Sequence, residues 1–371
     1  MVNFAEAAAF APEAASRLMR LLPREFQDAF VQSPNVFMLF MSMGLAAVLV
    51  AAFWMLNGMG KASRMARIAL RAQALKRSKD HRALVLIGEI EGGGAGLRQE
   101  MKEAIEDNFG LFSFEQNVQV DLFPISLKTH SPYAHPELRR RVAVEAAEAL
   151  ERSAADVIVW GKRTLTGRLD LRVTTLPGYG RTHDVQDFQL IWRVGRPAEA
   201  AQRALAFALA RKARPVLHRP QDYKPDRLQP IVEALDQMVE ARPEEVSDNL
   251  QLDILSDFAS GALSLGERGG HIKWLSKALD ARQNYLDRVD RTTDPSAWGA
   301  AQQEIGRALT ALGEREGARD KLEEGASRLR LAMDALRSTD SLQQAEVALR
   351  ALQRAEQTLQ QRRRVGLRWP T

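Results

Sequence analysis

Four glycines, Gly92, Gly93, Gly94 and Gly96, and one close histidine pair, His130 and His135, are the residues whose types and spacing could do chemistry. The glycines lie in GEIEGGGAG, between a strand-like run and a helix-like one, so their amides could hold a phosphate or nucleotide. The Lys and Ser/Thr of a P-loop are missing. Neither start completes G-x-G-x-x-G, because Leu97 and Gln99 occupy the third positions. The loop therefore reads either as an anion cradle or as a flexible turn. The histidines, in KTHSPYAHP with Glu137 nearby, could begin a metal site, yet no recognisable third and fourth ligand follows. A solvated loop is the other reading. Cysteine is absent, which excludes disulfides and thiolate metal sites. No acid/base pair or nucleophile stands out from ordinary surface charge, so no catalytic residue, cofactor or metal is assigned.

The elements that must position these residues alternate between strand and helix periods. ALVLIGEI (Ala83 to Ile90), VQVDLF (Val118 to Phe123) and DVIVWG (Asp156 to Gly161) have strand length and apolar character. Two more strands show period-two alternation, one with Leu169, Leu171 and Val173 on a face, the other with Phe188, Leu190, Trp192 and Val194. Trp160 and Trp192 read as core residues. Leu97, Met101, Ala104, Ile105 and Phe109 mark a helix. Leu138, Val142, Ala146, Ala149 and Leu150 mark another behind Pro136, and Ala198 to Ala213 a third. The order βαβαβββα implies a mixed sheet with helices packed on it.

Upstream, Val36 to Leu56 holds twenty-one residues without a charge. As a helix this run is about 31 Å long, which matches the ~30 Å hydrocarbon thickness of a bilayer. It is expected to be a single transmembrane helix. Gly44, Ala47 and Ala51 place small side chains near one face, where helices could associate in lipid. The net charge of +5 is local. Residues 57 to 82 carry eight Lys or Arg against Asp80, whereas residues 1 to 56 carry three Arg against four acids. The positive-inside rule then directs the bulk of the chain to the cytoplasm and the amino terminus outside, in a bacterial inner membrane. Within Lys61 to Arg82, Met65, Ile68, Ala72 and Leu75 form an apolar stripe among Lys61, Arg64, Arg67, Arg71, Lys76, Arg77 and Lys79. That is either a helix resting on anionic head groups or a solvated stalk. Nucleic acid is disfavoured, because no aromatic residue interleaves these charges. Residues 1 to 35 are alanine-rich, then amphipathic, and read as an interfacial helix or a frayed tail.

Pro215, Pro220, Pro225 and Pro230 recur every five residues, which suits an extended linker and places a domain boundary there. The chain beyond reads as helix alone. LGER occurs at Leu265 to Arg268 and again at Leu312 to Arg315, a shift of 47 residues that also aligns Asp257 with Glu304 and Leu275 with Leu322. Such repetition is a sign of stacked helical hairpins. WGAAQQEIGRALTALGEREGARDKLEEGASRLRLAMDALR (Trp298 to Arg337), with a fainter copy at Leu250 to Leu286, resembles tetratricopeptide repeats of the long-helix bacterial kind. Ser341 to Arg362 adds one further helix, read as a polar cap. AADVIVWGKRTLTGRLDLRV (Ala154 to Val173) and QLIWRV (Gln189 to Val194) resemble the amino-terminal α/β domain of TolB proteins, though the glycine loop departs from that family's first connection. These resemblances imply binding modules without catalysis.

The expected architecture is an amino-terminal segment (1–35), a transmembrane helix (36–56), a basic juxtamembrane helix (57–82), an α/β domain (83–213), a Pro-rich linker (214–230), an all-α tetratricopeptide-like domain (231–362) and a tail (363–371). The expected function is a membrane-anchored scaffold that presents its α/β and helical-repeat modules for binding other proteins or for homo-assembly, and touches anionic lipid. The alternative is a membrane-anchored sensor that binds a nucleotide or another anionic small molecule in its α/β domain.

Overall fold

The computed structural model describes residues 43, 46, 48–50, 66, 68–77, 83–112, 118–130, 135–175, 185–213 and 225–366. Contacts divide the chain into Met1–Arg67 and Ile68–Thr371. In the second unit five strands form one sheet: β1 (Ala83–Glu91), β2 (Val118–Leu122), β3 (Val157–Arg163), β4 (Arg168–Thr175) and β5 (Val185–Ile191), in the order β2-β1-β3-β4-β5. β1 runs parallel to both β2 and β3, and the β3-β4-β5 meander is antiparallel. The sheet is mixed, as the alternation of periods implies. Trp192 and Val194 lie just past the end of β5, although they continue its alternation.

β1 is buried on both faces, which is why ALVLIGEI reads as a continuous apolar run and not an alternating one. Val85 and Ile87 face helix α1 (Ala95–Asn108), whose Leu97, Met101, Ala104 and Ile105 join the same core. Leu84 and Leu86 face the opposite way, toward Val142, Ala146 and Leu150 of α2 (Pro136–Ser153). Helix α3 (Glu199–Ala213) then packs on the α1 side of the sheet.

Among the described residues six helices follow: α4 (Pro225–Ala241), α5 (Asp248–Gly269), α6 (Ile272–Leu286), α7 (Pro295–Glu316), α8 (Arg319–Ser338) and α9 (Leu342–Gly366). α5, α7 and α9 begin 47 residues apart, so the array holds two hairpins and the first helix of a third. Gly299, Gly306 and Gly313, spaced by seven, meet Leu336, Leu329 and Leu322 of α8. One repeat later those glycine positions are Glu346, Gln353 and Gln360, all exposed, so α9 offers polar side chains where α7 offers a close-packing seam.

The structure corrects several expectations. Among the described residues no helix is long and apolar enough to cross a membrane, which overturns the transmembrane helix and the inner-membrane location derived from it. A span needs about 20 consecutive helical residues. Of 36–56 only Met43, Ala46 and residues 48–50 are described, as helical and exposed. Gly44, Ala47 and Ala51 lie outside the described residues, as do Lys61, Arg64, Arg67 and Lys79. Further on, Ile68, Ala72 and Leu75 are buried against Leu84, Leu86 and Phe123, so the stripe assigned to lipid covers one face of the sheet. Arg71 meets Asp121 of β2 through three hydrogen bonds, at 2.7, 2.8 and 3.2 Å.

The linker is also shorter than expected. Pro225 opens α4, where a missing N–H costs nothing, and Pro230 lies inside that helix. Nor does the Pro-rich stretch separate two cores. One hydrophobic cluster runs from β1 and α1 through α3 into α4, α5, α6 and α7. At the seam Leu190 of β5 bridges Val246, Ile191 N–H donates to the Glu245 carbonyl at 2.8 Å, and Ser247 N–H to that of Gln189 at 3.2 Å.

A Cβ built at Gly306 would lie 2.6 Å from Leu329 Cγ and 2.9 Å from the Gly325 carbonyl oxygen. Gly306→Ala is therefore expected to destabilise the protein by about 1–3 kcal/mol, through overpacking. Gln360→Ala, at an exposed position, is expected to stay within about 0.5 kcal/mol. Urea denaturation of the three proteins checks the contrast, and equal stabilities would refute the close-packing role.

Candidate functional site

The glycine loop is placed where its spacing predicts, at the carboxyl end of β1 and the start of α1. Gly92 needs its glycine, since φ is +71°. Gly93 donates to the Ile90 carbonyl at 3.0 Å and lies under Leu97. Gly94 is the extended N-cap of α1, and a Cβ on Gly94 or Gly96 would meet nothing within 4 Å. The residue that decides the chemistry here is Arg98, which no sequence motif marks. Its Nη2 donates to the carbonyls of Ile87 and Phe123, both at 3.3 Å, across the ends of β1 and β2. Burial lowers its pKa, against the opposing pull of Glu89. These two bonds tie the Arg98 Nη2 to the strand carbonyls and not to the glycine amides. The geometry of the loop is that of a turn.

The histidines do not converge. His135 caps α2, its Nδ1 accepting from Glu137 N–H at 3.4 Å, and His130 contributes its carbonyl to the Arg172 guanidinium. Among the described residues no three His, Asp or Glu side chains group as metal ligands. Trp192 is core, with its Nε1 donating to Glu100 at 3.0 Å, and the second Glu100 oxygen accepts from Gly195 N–H at 2.7 Å. Trp160 is core as well. Of the basic segment's cations, Arg71, Lys76 and Arg77 are described and exposed, and Arg71 pairs with Asp121.

Charge is concentrated instead where the sheet meets the array. Arg211 of α3 holds Asp253 at 2.9 Å and Asp257 at 3.0 Å on α5, and Gln186 of β5 donates to Asp253 at 2.8 Å. One helix further, Arg282 of α6 is 4% exposed and binds Glu304 of α7, the Ser260 hydroxyl at 2.8 Å and the Ser256 carbonyl at 3.0 Å. Asp257 and Glu304, aligned by the 47-residue shift, thus each receive an arginine from another helix. The shift also relates two further pairs, Glu267 with Arg307 and Glu314 with Arg354. Arg315 and Arg362 repeat one more contact, each donating to the backbone carbonyl of the glutamate it follows by 48 residues. This network fixes helices against one another.

A small cavity of about 40 Å³ opens between the ends of α4, α5 and α6. Met238, Val239, Pro243, Ile254 and Leu255 make its apolar wall, with Arg242 and Arg288 among the polar residues at its edge. Nothing in the local sequence pattern marks it, because its residues come from three separate helix ends. Comparison of the chain with protein-family models, with curated proteins and with solved structures finds no match. The tetratricopeptide and TolB resemblances therefore rest on the quoted residues alone.

Two outcomes are expected. Gly96→Ala should raise stability by roughly 0.5–1 kcal/mol, since the site is helical and open, and a loss on thermal melting would contradict it. Burial pushes the Asp253 carboxyl above its ordinary range, against the pull of Arg211 and with the push of Asp257. The folded state then binds the proton more readily than the unfolded chain, so this group's contribution to stability falls as pH rises. Relative to Asp253→Asn, the wild type should gain stability as pH drops from 7 toward about 4. Melting both proteins across that range checks the sign.

Proposed function

We propose that the chain is a scaffold for other proteins, or for copies of itself, with the helical array as its binding element and the α/β part as a fixed base. The observation that supports this is the 47-residue repetition of helix starts and of the Glu267–Arg307 and Glu314–Arg354 pairs, which builds an extended helical surface from a repeated unit. The resemblance of Trp298 to Arg337 to tetratricopeptide repeats points the same way. No feature of the glycine loop favours the anion sensor, given the place of Arg98.

Cross-linking mass spectrometry on tagged full-length chain in cells tests the reading. Lys273 and Lys321 of the array are expected to link reproducibly to one partner, or to a second copy. Intramolecular links alone, together with a monomer by light scattering, would overturn it.

A further inference from the structure

The cavity between α4, α5 and α6 has no role in the packing described above. Its volume of about 40 Å³ is that of roughly three waters on the same scale. That is room for the end of a valine or leucine side chain and too little for an aromatic ring. Among the described residues, the charged side chains lining it are Arg242 and Arg288. Both are exposed, and among the described residues neither guanidinium has a hydrogen-bond or ion-pair partner.

Arg242 is also in a costly conformation. Its φ is +41°, in the left-handed region that suits glycine, and Pro243 follows it directly. A non-glycine residue held there is strained. A glycine would end α4 with less strain and would lack the guanidinium.

We propose that this cavity docks a segment of a partner protein in which one carboxylate lies beside a small aliphatic side chain. The aliphatic group enters the Met238, Ile254 and Leu255 wall, and the carboxylate meets the Arg242 and Arg288 guanidinia, whose planar donors match it. One carboxylate is required, not an acidic tract, because Glu240, Glu244 and Asp287 are exposed on the same helix ends without lining the cavity. A free small acid buries too little surface to offset the freedom it loses on binding, so the group belongs to a longer chain. The inference rests on the scaffold reading and gives it a point of contact.

The test uses the full chain and fluorescence anisotropy with fluorescein-labelled Gly-Ser-Leu-Glu-Gly-Ser. Saturable binding is expected, at least about tenfold weaker for the Leu-Gln and Ser-Glu versions and for Arg288→Glu. Arg242→Gly should bind the peptide more weakly while melting at a higher temperature, a combination that a purely structural arginine would not produce. Absence of saturable binding, equal binding of the Leu-Gln peptide, or unchanged affinity in Arg288→Glu would overturn the site. Displacement by 4-methylpentanoate at concentrations matching the unlabelled peptide would overturn it in favour of a small-molecule pocket. Failure here with cellular cross-links retained would remove this site and leave the scaffold reading standing.

Discussion

The burial of helix α3 is the constraint on which the rest of the structure depends. Seven consecutive residues, Ala204 to Ala210, are buried, so the helix has no solvent face along two turns. It packs on α1 and the sheet, and its residues share one cluster with those of α4 and α5. Alanine at four of those seven positions lets neighbours approach on every side, and Leu205, Phe207 and Leu209 fill the gaps between them. Phe207 meets the edge of Phe112 at 5.7 Å between ring centres. A helix buried all round can exist only if something covers each side. The sheet covers one and the array covers another, so neither half has a complete core alone.

Much of the α/β part was legible in the sequence, for a plain reason. Leu169, Leu171 and Val173 alternate because one face of β4 is core, and β1 is uniformly apolar because both of its faces are. The seam was not legible. AAQRALAFALARKA reads as a helix that closes one domain, although its apolar character on all sides already requires a second layer. Prolines at steps of five read as an extended linker, but Pro225 opens α4, where proline is compatible with the first turn, and Pro230 lies inside that helix. Composition shows where proline is and not how far it lies from a helix end. The same limit applies to Ile68, Ala72 and Leu75. An apolar stripe beside arginines has the same pattern whether lipid or a sheet covers it.

The array shows a repeat becoming visible in parts. LGER at residues 265 and 312 is plain, whereas its third occurrence is LQQR at Leu359 to Arg362. Arg362 keeps the backbone contact of Arg315, so the geometry persists after the signature has gone. What changes is what the next helix would need. Gln360 replaces the close-packing glycine, and Gln361 replaces the glutamate that pairs with an arginine one repeat on. Near the glycine loop, Arg98 is not legible in the sequence, because its contacts depend on two carbonyls brought together only by parallel pairing. Arg242 and Arg288 belong to different helix ends and share no local pattern.

The short bridge between β5 and residues 245–247 has a further consequence. β5 is the last strand of the sheet, and an outer strand carries unpaired N–H and C=O groups that can recruit a strand from another molecule. Gln189 and Ile191 use theirs on Ser247 and Glu245. Those partners are held in place by the start of α5, and therefore by the array. Detaching the array would uncover a ready template for intermolecular β-pairing. The helices thus guard the sheet against aggregation, a duty that would persist whatever they bind.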